Sequence, residues 1–177
     1  MSLGALYQRV ITPAMHELGR LWAEGAITLA DERLATAVTN RVLAAIRPPQ
    51  IFEQTPRPGS EKPCALLAAV QGEQHALGLR MAGDLLEDGG YRVAYLGADV
   101  PTDALLQAVR TLSPDLLALS VTMPESTQRL EEVVEAVRDE HSELPLLIGG
   151  QSSRSRRLDG GTVIEDLELL EEKVPLP

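Results

Sequence analysis

Glu73 and His75 stand two residues apart in the stretch Gln71-Gly72-Glu73-Gln74-His75-Ala76-Leu77-Gly78. A carboxylate beside an imidazole can take a hydrogen bond from one ring nitrogen and leave the other free to ligate a metal. Further along, Ser120, Thr122 and Ser126 offer hydroxyls without a strong base of their own. Gly149-Gly150, followed by Gln151, removes side chains where a backbone must approach a ligand closely. Taken one at a time, each feature has a plainer reading. A histidine after a strand is usually a surface residue, Glu73 can decorate the start of the next helix, serines cap helices, and a glycine pair makes a turn. The chemistry becomes specific only if the fold gathers these residues.

The elements that must position them are legible in the hydrophobic pattern. From Pro63 onward the apolar runs CALLAAV, RVAYLG, DLLALSV and LPLLIGG alternate with helical stretches at 75–88, 102–112 and 126–140. Continuous apolar runs of this length predict strands covered on both faces, and their alternation with helices predicts βαβ units. A short fifth strand at Thr162–Ile164 and a helix from Asp166 to Glu172 complete a doubly wound, Rossmann-like (flavodoxin-like) parallel sheet of about five strands. In such a sheet ligands bind beyond the carboxyl ends of the strands. The three loops that begin at Gln71, Ser120 and Gly149 all fall there, so one large ligand could touch all three.

The N-terminal part is different. Leu3 to Glu24 is a helical stripe interrupted by Pro13, with a kink or a helix start expected at Thr12, and Gly25 ends it. A second helix is predicted from Leu29 to Ile46, with Leu34, Val38, Val42 and Ile46 on one face and Asp31 and Glu32 in its first turn. Two helices of this size cannot bury both apolar faces alone. Residues 47–62 hold four prolines and a glycine and read as an extended linker. The expected domains are therefore a helical pair at 1–46, a linker at 47–62 and the sheet domain at 63–177.

Composition narrows the function. The chain has 177 residues, 16 Lys and Arg against 26 Asp and Glu, and a net charge of −10. That balance argues against direct binding of nucleic acid or an anionic membrane surface. No apolar run approaches a bilayer span and no signal peptide opens the chain, so a cytoplasmic protein is expected. With a single cysteine, Cys64, there is neither an internal disulfide nor a cysteine-cluster zinc site. The Gly-x-Gly-x-x-Gly turn of a dinucleotide site and the P-loop are both missing after the first strand, and no residue is assigned a catalytic role.

The spacing of the three loops resembles the cobalamin-binding domain of methionine synthase, corrinoid methyl carriers, coenzyme-B12 mutases and light-sensing B12 regulators. The family signature is Asp-x-His-x-x-Gly, forty-one residues, Ser-x-Leu, about twenty-six residues and Gly-Gly. Here Glu73-Gln74-His75-Ala76-Leu77-Gly78 is followed by residues 79–119, then Ser120-Val121-Thr122, then residues 123–148, then Gly149-Gly150. The resemblance implies that His75 replaces the cofactor's own benzimidazole as the lower axial cobalt ligand. It implies that Glu73 orients His75 and that Ser126 extends that relay. The displaced nucleotide tail would enter a slot lined by Ser120, Thr122, Gly149, Gly150 and Gln151. Gln74, Leu77 and Gly78 complete the implied contact set. Glu73 replaces the commoner Asp and Thr122 replaces Leu. The Glu-x-His form, and the segment Leu96-Gly97-Ala98-Asp99-Val100-Pro101, resemble the light-sensing regulators.

The N-terminal helices are similar to the cap that covers the upper corrin face in that family. Trp22, nine residues and Glu32-Arg33 follow the regulators' Trp, nine residues and Glu-His, which implies Trp22 over the upper ligand and Glu32 near an adenosyl group. Arg33 and Ala23 stand where regulators carry His. Only the last two helices of a four-helix cap are recognised in 1–46, and no helix-turn-helix is recognised. An excised piece and a free-standing binder that fills the missing half with a partner both remain open, and self-association or a protein partner through the cap helices is expected. The function implied is a non-catalytic B12 or light sensor, with adenosylcobalamin favoured over methylcobalamin. The alternative is the corrinoid methyl-carrier component of a methyltransferase.

Overall fold

The structure, a computed structural model, describes residues 1–48, 62–153 and 160–174. It divides into two compact units, Met1–Ile51 and Phe52–Pro177, each described by itself. Most of the predicted linker, residues 49–61, lies outside the described residues.

In the first unit, α1 (Leu3–Leu6) runs through a π-helical turn at Tyr7–Ile11 into α2 (Thr12–Ala23). The expected kink or helix start at Thr12 falls where α2 begins, and the π-helical turn before it joins the two helices without a break in helical backbone. Pro13 has no N–H, and its ring crowds the carbonyl one turn earlier. The widened turn just before it, closed by the Thr12 N–H on the Tyr7 carbonyl, accommodates the proline without a break. Thr12 consequently caps nothing, and its buried hydroxyl has no hydrogen-bond partner among the described residues. Tyr7 is fully buried at this turn.

The second helix, α3 (Leu29–Ile46), has the predicted bounds and opens with a capping box between Thr28 and Asp31. Asp31 accepts bonds from the Thr28 hydroxyl and amide, which hold its carboxyl below the usual carboxylate range. Leu43 is fully buried, while the predicted apolar face Leu34, Val38, Val42 and Ile46 is exposed.

The second unit is a parallel sheet of five strands in the order β2-β1-β3-β4-β5, the flavodoxin-like winding. The strands are β1 (Cys64–Val70), β2 (Arg92–Val100), β3 (Leu116–Ser120), β4 (Leu146–Gly149) and β5 (Thr162–Val163). Every residue of β1 and β3 is buried, as the continuous apolar runs predict for central strands. The crossover helices are α4 (Leu77–Asp88), α5 (Thr102–Leu112) and α6 (Thr127–Glu140). Their inner faces, including Leu85, Leu105, Leu130 and Val137, close the core over the sheet. The C-terminal helix begins as a turn at Leu167–Leu169, where the Asp166 side chain accepts from the Glu168 amide, and continues as α7 (Leu170–Lys173).

Two departures from the predicted boundaries matter for the site. Helix α4 starts at Leu77 rather than residue 75, and α6 starts at Thr127 after a single 3-10 turn at Pro124–Ser126. The residues released from helix form the loops beyond β1 and β3. Because strand order reverses between β1 and β3, these loops lie on either side of the topological switch point. Among the described residues, no helix is long and apolar enough to cross a membrane.

Leu119 lies at the centre of the sheet, 1 % exposed. Leu119→Ala is expected to lower the unfolding free energy by about 2–5 kcal/mol, measured by urea titration.

Candidate functional site

The site grows out of the turn that ends β1. The Glu73 amide donates to the Val70 carbonyl at 2.9 Å, closing a tight turn in which Gly72 has φ +88°. That value is what the third residue of a type II turn requires, and it favours glycine. The turn directs the Glu73 side chain back under the strand ends, where it is 0 % exposed.

A buried carboxylate is costly unless its oxygens are fully used. Here they are. Oε1 accepts from the His75 amide at 2.8 Å and lies 2.6 Å from His75 Nδ1. Oε2 accepts from the amides of Thr122 and Met123 at 2.7 and 2.8 Å. Burial pushes the Glu73 carboxyl up, but the Met123, His75 and Thr122 amides and the His75 ring together outweigh it, and the group titrates below its usual range. One ionised side chain thereby ties the β1 loop to the β3 loop across the switch point.

The consequence for His75 is directional. Ionised Glu73 can only accept, so Nδ1 is the donor and, in the neutral ring, Nε2 keeps its lone pair. The His75 side chain is 57 % exposed. A buried partner thus holds one edge of an imidazole whose other edge is available to a ligand.

The remaining predicted residues of this unit lie along the same strand ends. Gln74 and Gly78 are exposed and Leu77 half-buried at the start of α4. Ser120 is buried at the end of β3, paired in register with Gly149 of β4. Thr122 is half-buried and Gln151 exposed. A Cβ built on Gly149 or on Gly78 would project into open space. Gly150 is constrained otherwise: its φ is +102° and a Cβ would lie 2.1 Å from the Val121 carbonyl oxygen. The second glycine of the pair is therefore required by the β3 loop packed against it, whatever occupies the slot. Ser126 is buried, with its hydroxyl 3.8 Å from where a Gly72 Cβ would sit. The four donors on Glu73 are the His75, Thr122 and Met123 amides and the His75 ring nitrogen Nδ1.

Trp22 and Glu32 belong to the first unit. Trp22, near the end of α2, is 48 % exposed, and the Glu32 carboxylate accepts from the Thr36 hydroxyl at 2.9 Å. Sequence reasoning assigned no role to three groups at the strand ends of the second unit. Asp99 bonds the β1 turn, the Tyr95 hydroxyl donates to the Ala76 carbonyl at 3.2 Å, and the Ser152 hydroxyl donates to the Thr122 carbonyl at 2.7 Å. Asp99 alone carried a signal, in the segment Leu96-Gly97-Ala98-Asp99-Val100-Pro101 whose resemblance to the regulators marked the end of the second strand.

A doubly wound sheet with a carboxylate-held histidine at its switch point defines a class of ligand-binding domain. Residues 63–164 match the family described as B12 binding domain, and residues 1–47 match a second family of the same description. The chain belongs to the B12-binding domain family. It is 30% identical over 154 residues to the HTH-type transcriptional repressor CarA of Myxococcus xanthus, covering 87% of this chain and 50% of the repressor. It is 27% identical over 152 residues to the trimethylamine corrinoid protein of Methanosarcina barkeri, covering 82% of this chain and 67% of that protein. The solved monomethylamine corrinoid protein of Methanosarcina barkeri shares the fold, with a TM-score of 0.76 at 14% identity over 97% of this chain and 82% of that one. The chain thus spans about half the length of the repressor it matches.

Two outcomes follow from this geometry. Glu73→Gln cannot accept all four N–H groups, and at pH 7 it is expected to lose about 1–3 kcal/mol of stability. Because the Glu73 carboxyl titrates low in the folded state, its contribution is complete above the usual carboxylate range and disappears as pH falls through the folded value. Urea unfolding at falling pH should show wild type and Glu73→Gln converging below about pH 4. Gly150→Ala is expected to cost at least about 2 kcal/mol, from strain and overlap, whereas Gly149→Ala should unfold within about 1 kcal/mol of wild type.

Proposed function

We propose that this chain holds cobalamin base-off, with His75 Nε2 as the lower axial ligand of cobalt, as a B12- or light-responsive regulatory module acting through a partner. The observation that carries the reading is the Glu73–His75 pair, with Nδ1 bonded and Nε2 left for a metal. Among the described residues no three His, Cys, Asp or Glu side chains gather to hold a metal ion. A ligand role for His75 therefore calls for a metal that brings its other donors, as a corrin does.

The residues fit such a group. The open space that a Cβ on Gly149 would enter, beside buried Ser120 and half-buried Thr122, is a fitting place for the displaced nucleotide tail. Glu73 fixes the tautomer and ring plane of His75, and the Thr122 and Met123 amides fix Glu73 in turn. Gln74, Leu77, Gly78, Gly150, Ser126 and Gln151 contribute surface and loop shape rather than charge. Trp22 and Glu32 are assigned to the upper face, Trp22 as an exposed aromatic plate and Glu32 as an acceptor for an adenosyl group. When bound, the cofactor supplies a cobalt–carbon bond that light or a methyl acceptor can break. The cap helices then act as the transmitting surface toward a protein partner or a second copy.

Similarity to the CarA repressor supports the regulatory reading, as does Glu in place of Asp two residues before His75. Similarity to the trimethylamine corrinoid protein supports the second reading, a methyl-carrier subunit working with separate methyltransferases. The cofactor preference separates them.

The test begins with adenosylcobalamin incubated in the dark, with free cofactor removed, for wild type and His75→Ala. The expected result is a base-off, histidine-bound visible spectrum in wild type and its loss in the variant. Illumination should then change the oligomeric state by light scattering, with methylcobalamin retained more weakly. Equal retention of both cofactors and no response to light would transfer the reading to the carrier. No retained corrin in wild type would contradict both.

A further inference from the structure

The end of β2 reaches the histidine loop through Asp99. The β1–β2 ladder shifts register twice, between Leu67 and Ala68 and again between Ala68 and Val70, so β2 carries extra residues toward its carboxyl end. Such irregularities re-aim a strand near a binding site. The result is Asp99 in the left-handed region at φ +55°, one of two non-glycine residues with positive φ among those described. In that conformation its carboxylate accepts from the Gly72 amide at 2.7 Å and its own amide donates to the Glu73 carbonyl at 2.9 Å. Both bonds land on the two residues that set the direction of the Glu73 side chain.

We propose that Asp99 is a positioning residue for His75: it clasps the Gly72–Glu73 backbone from the neighbouring strand and so fixes where the Glu73 carboxylate meets the imidazole. This rests on the reading of His75 as a cobalt ligand. Backbone strain at a non-glycine residue costs free energy that a local bond must offset. Here the offsetting bond crosses to the histidine turn, and no ion pair of Asp99 accompanies it among the described residues.

Asp99→Gly keeps the left-handed backbone without its steric cost and removes only the side-chain acceptor. Asp99→Asn keeps an acceptor oxygen and removes the charge. In the cofactor-free protein, amide exchange at Gly72 should accelerate in Asp99→Gly and stay at the wild-type rate in Asp99→Asn. With adenosylcobalamin, Asp99→Gly should lose about tenfold in affinity, the lower end for groups that orient a metal's ligand, together with part of the histidine-bound spectrum. Asp99→Asn should restore both. Wild-type affinity and spectrum in Asp99→Gly overturn the proposal, as does an Asp99→Asn variant no better than Asp99→Gly. An unfolded Asp99→Gly makes the clasp a requirement of the fold and overturns it too. His75→Ala measured alongside separates the layers. If it keeps the wild-type spectrum, the ligand reading fails and the positioning role with it. If it loses that spectrum while Asp99→Gly does not, the Asp99 role alone fails.

Discussion

The structure at the strand ends depends on one buried charge. Glu73 has no exposed surface, and its two oxygens hold four N–H donors drawn from its own loop and from the loop beyond β3. A carboxylate in that position would be expensive if any donor were missing, so the two loops are not independent. The sheet order places them beside each other, the turn at Gly72 aims the side chain inward, and the short delay before α6 leaves the Thr122 and Met123 amides free of a helix to answer it. His75 takes its orientation from this arrangement and supplies two of the four donors, its amide and Nδ1.

The same connectivity runs outward in both directions along the sheet edge. Asp99 fastens the β1 turn from one side. On the other, the Ser152 hydroxyl holds the Thr122 carbonyl, and the Val121 amide donates to the Gly149 carbonyl at 3.0 Å. Four strand ends therefore form one hydrogen-bonded rim. A rim of this kind suits preorganisation, because the ligand need not order the loops that receive it.

Much of this was readable from residue order. The apolar runs at 64–70 and 116–120 are buried along their whole length, since only a central strand tolerates an uninterrupted run, and the parallel winding follows from the helices between them. The spacing of Glu73-x-His75, Ser120 and Gly149-Gly150 located the rim because strand ends in a doubly wound sheet converge. What sequence could not supply were relations between backbone groups. The partners of Glu73 are the amides of Thr122 and Met123, and an amide has no residue-type signature. The cause of Gly150, a carbonyl 2.1 Å from a would-be Cβ, is likewise invisible in the letter G. Pro13 marked the start of α2 at Thr12, but the π-helical turn that joins it to the preceding helix has no residue-type signature either. On α3 the periodic apolar residues marked a face that two helices cannot bury alone, and Leu34 is 66% exposed. Periodicity marks a face that seeks burial without saying what covers it.

In the proposed function a protein nitrogen, that of His75, occupies the lower position on cobalt. Electron paramagnetic resonance of the protein loaded with cobalamin and reduced to the cobalt(II) state reads that nitrogen directly, through the splitting its nuclear spin imposes on the cobalt lines. With protein made from histidine labelled with nitrogen-15, the triplets of the unlabelled sample are expected to become doublets. Triplets that persist would place the cofactor's own benzimidazole on the metal and remove the ligand role of His75.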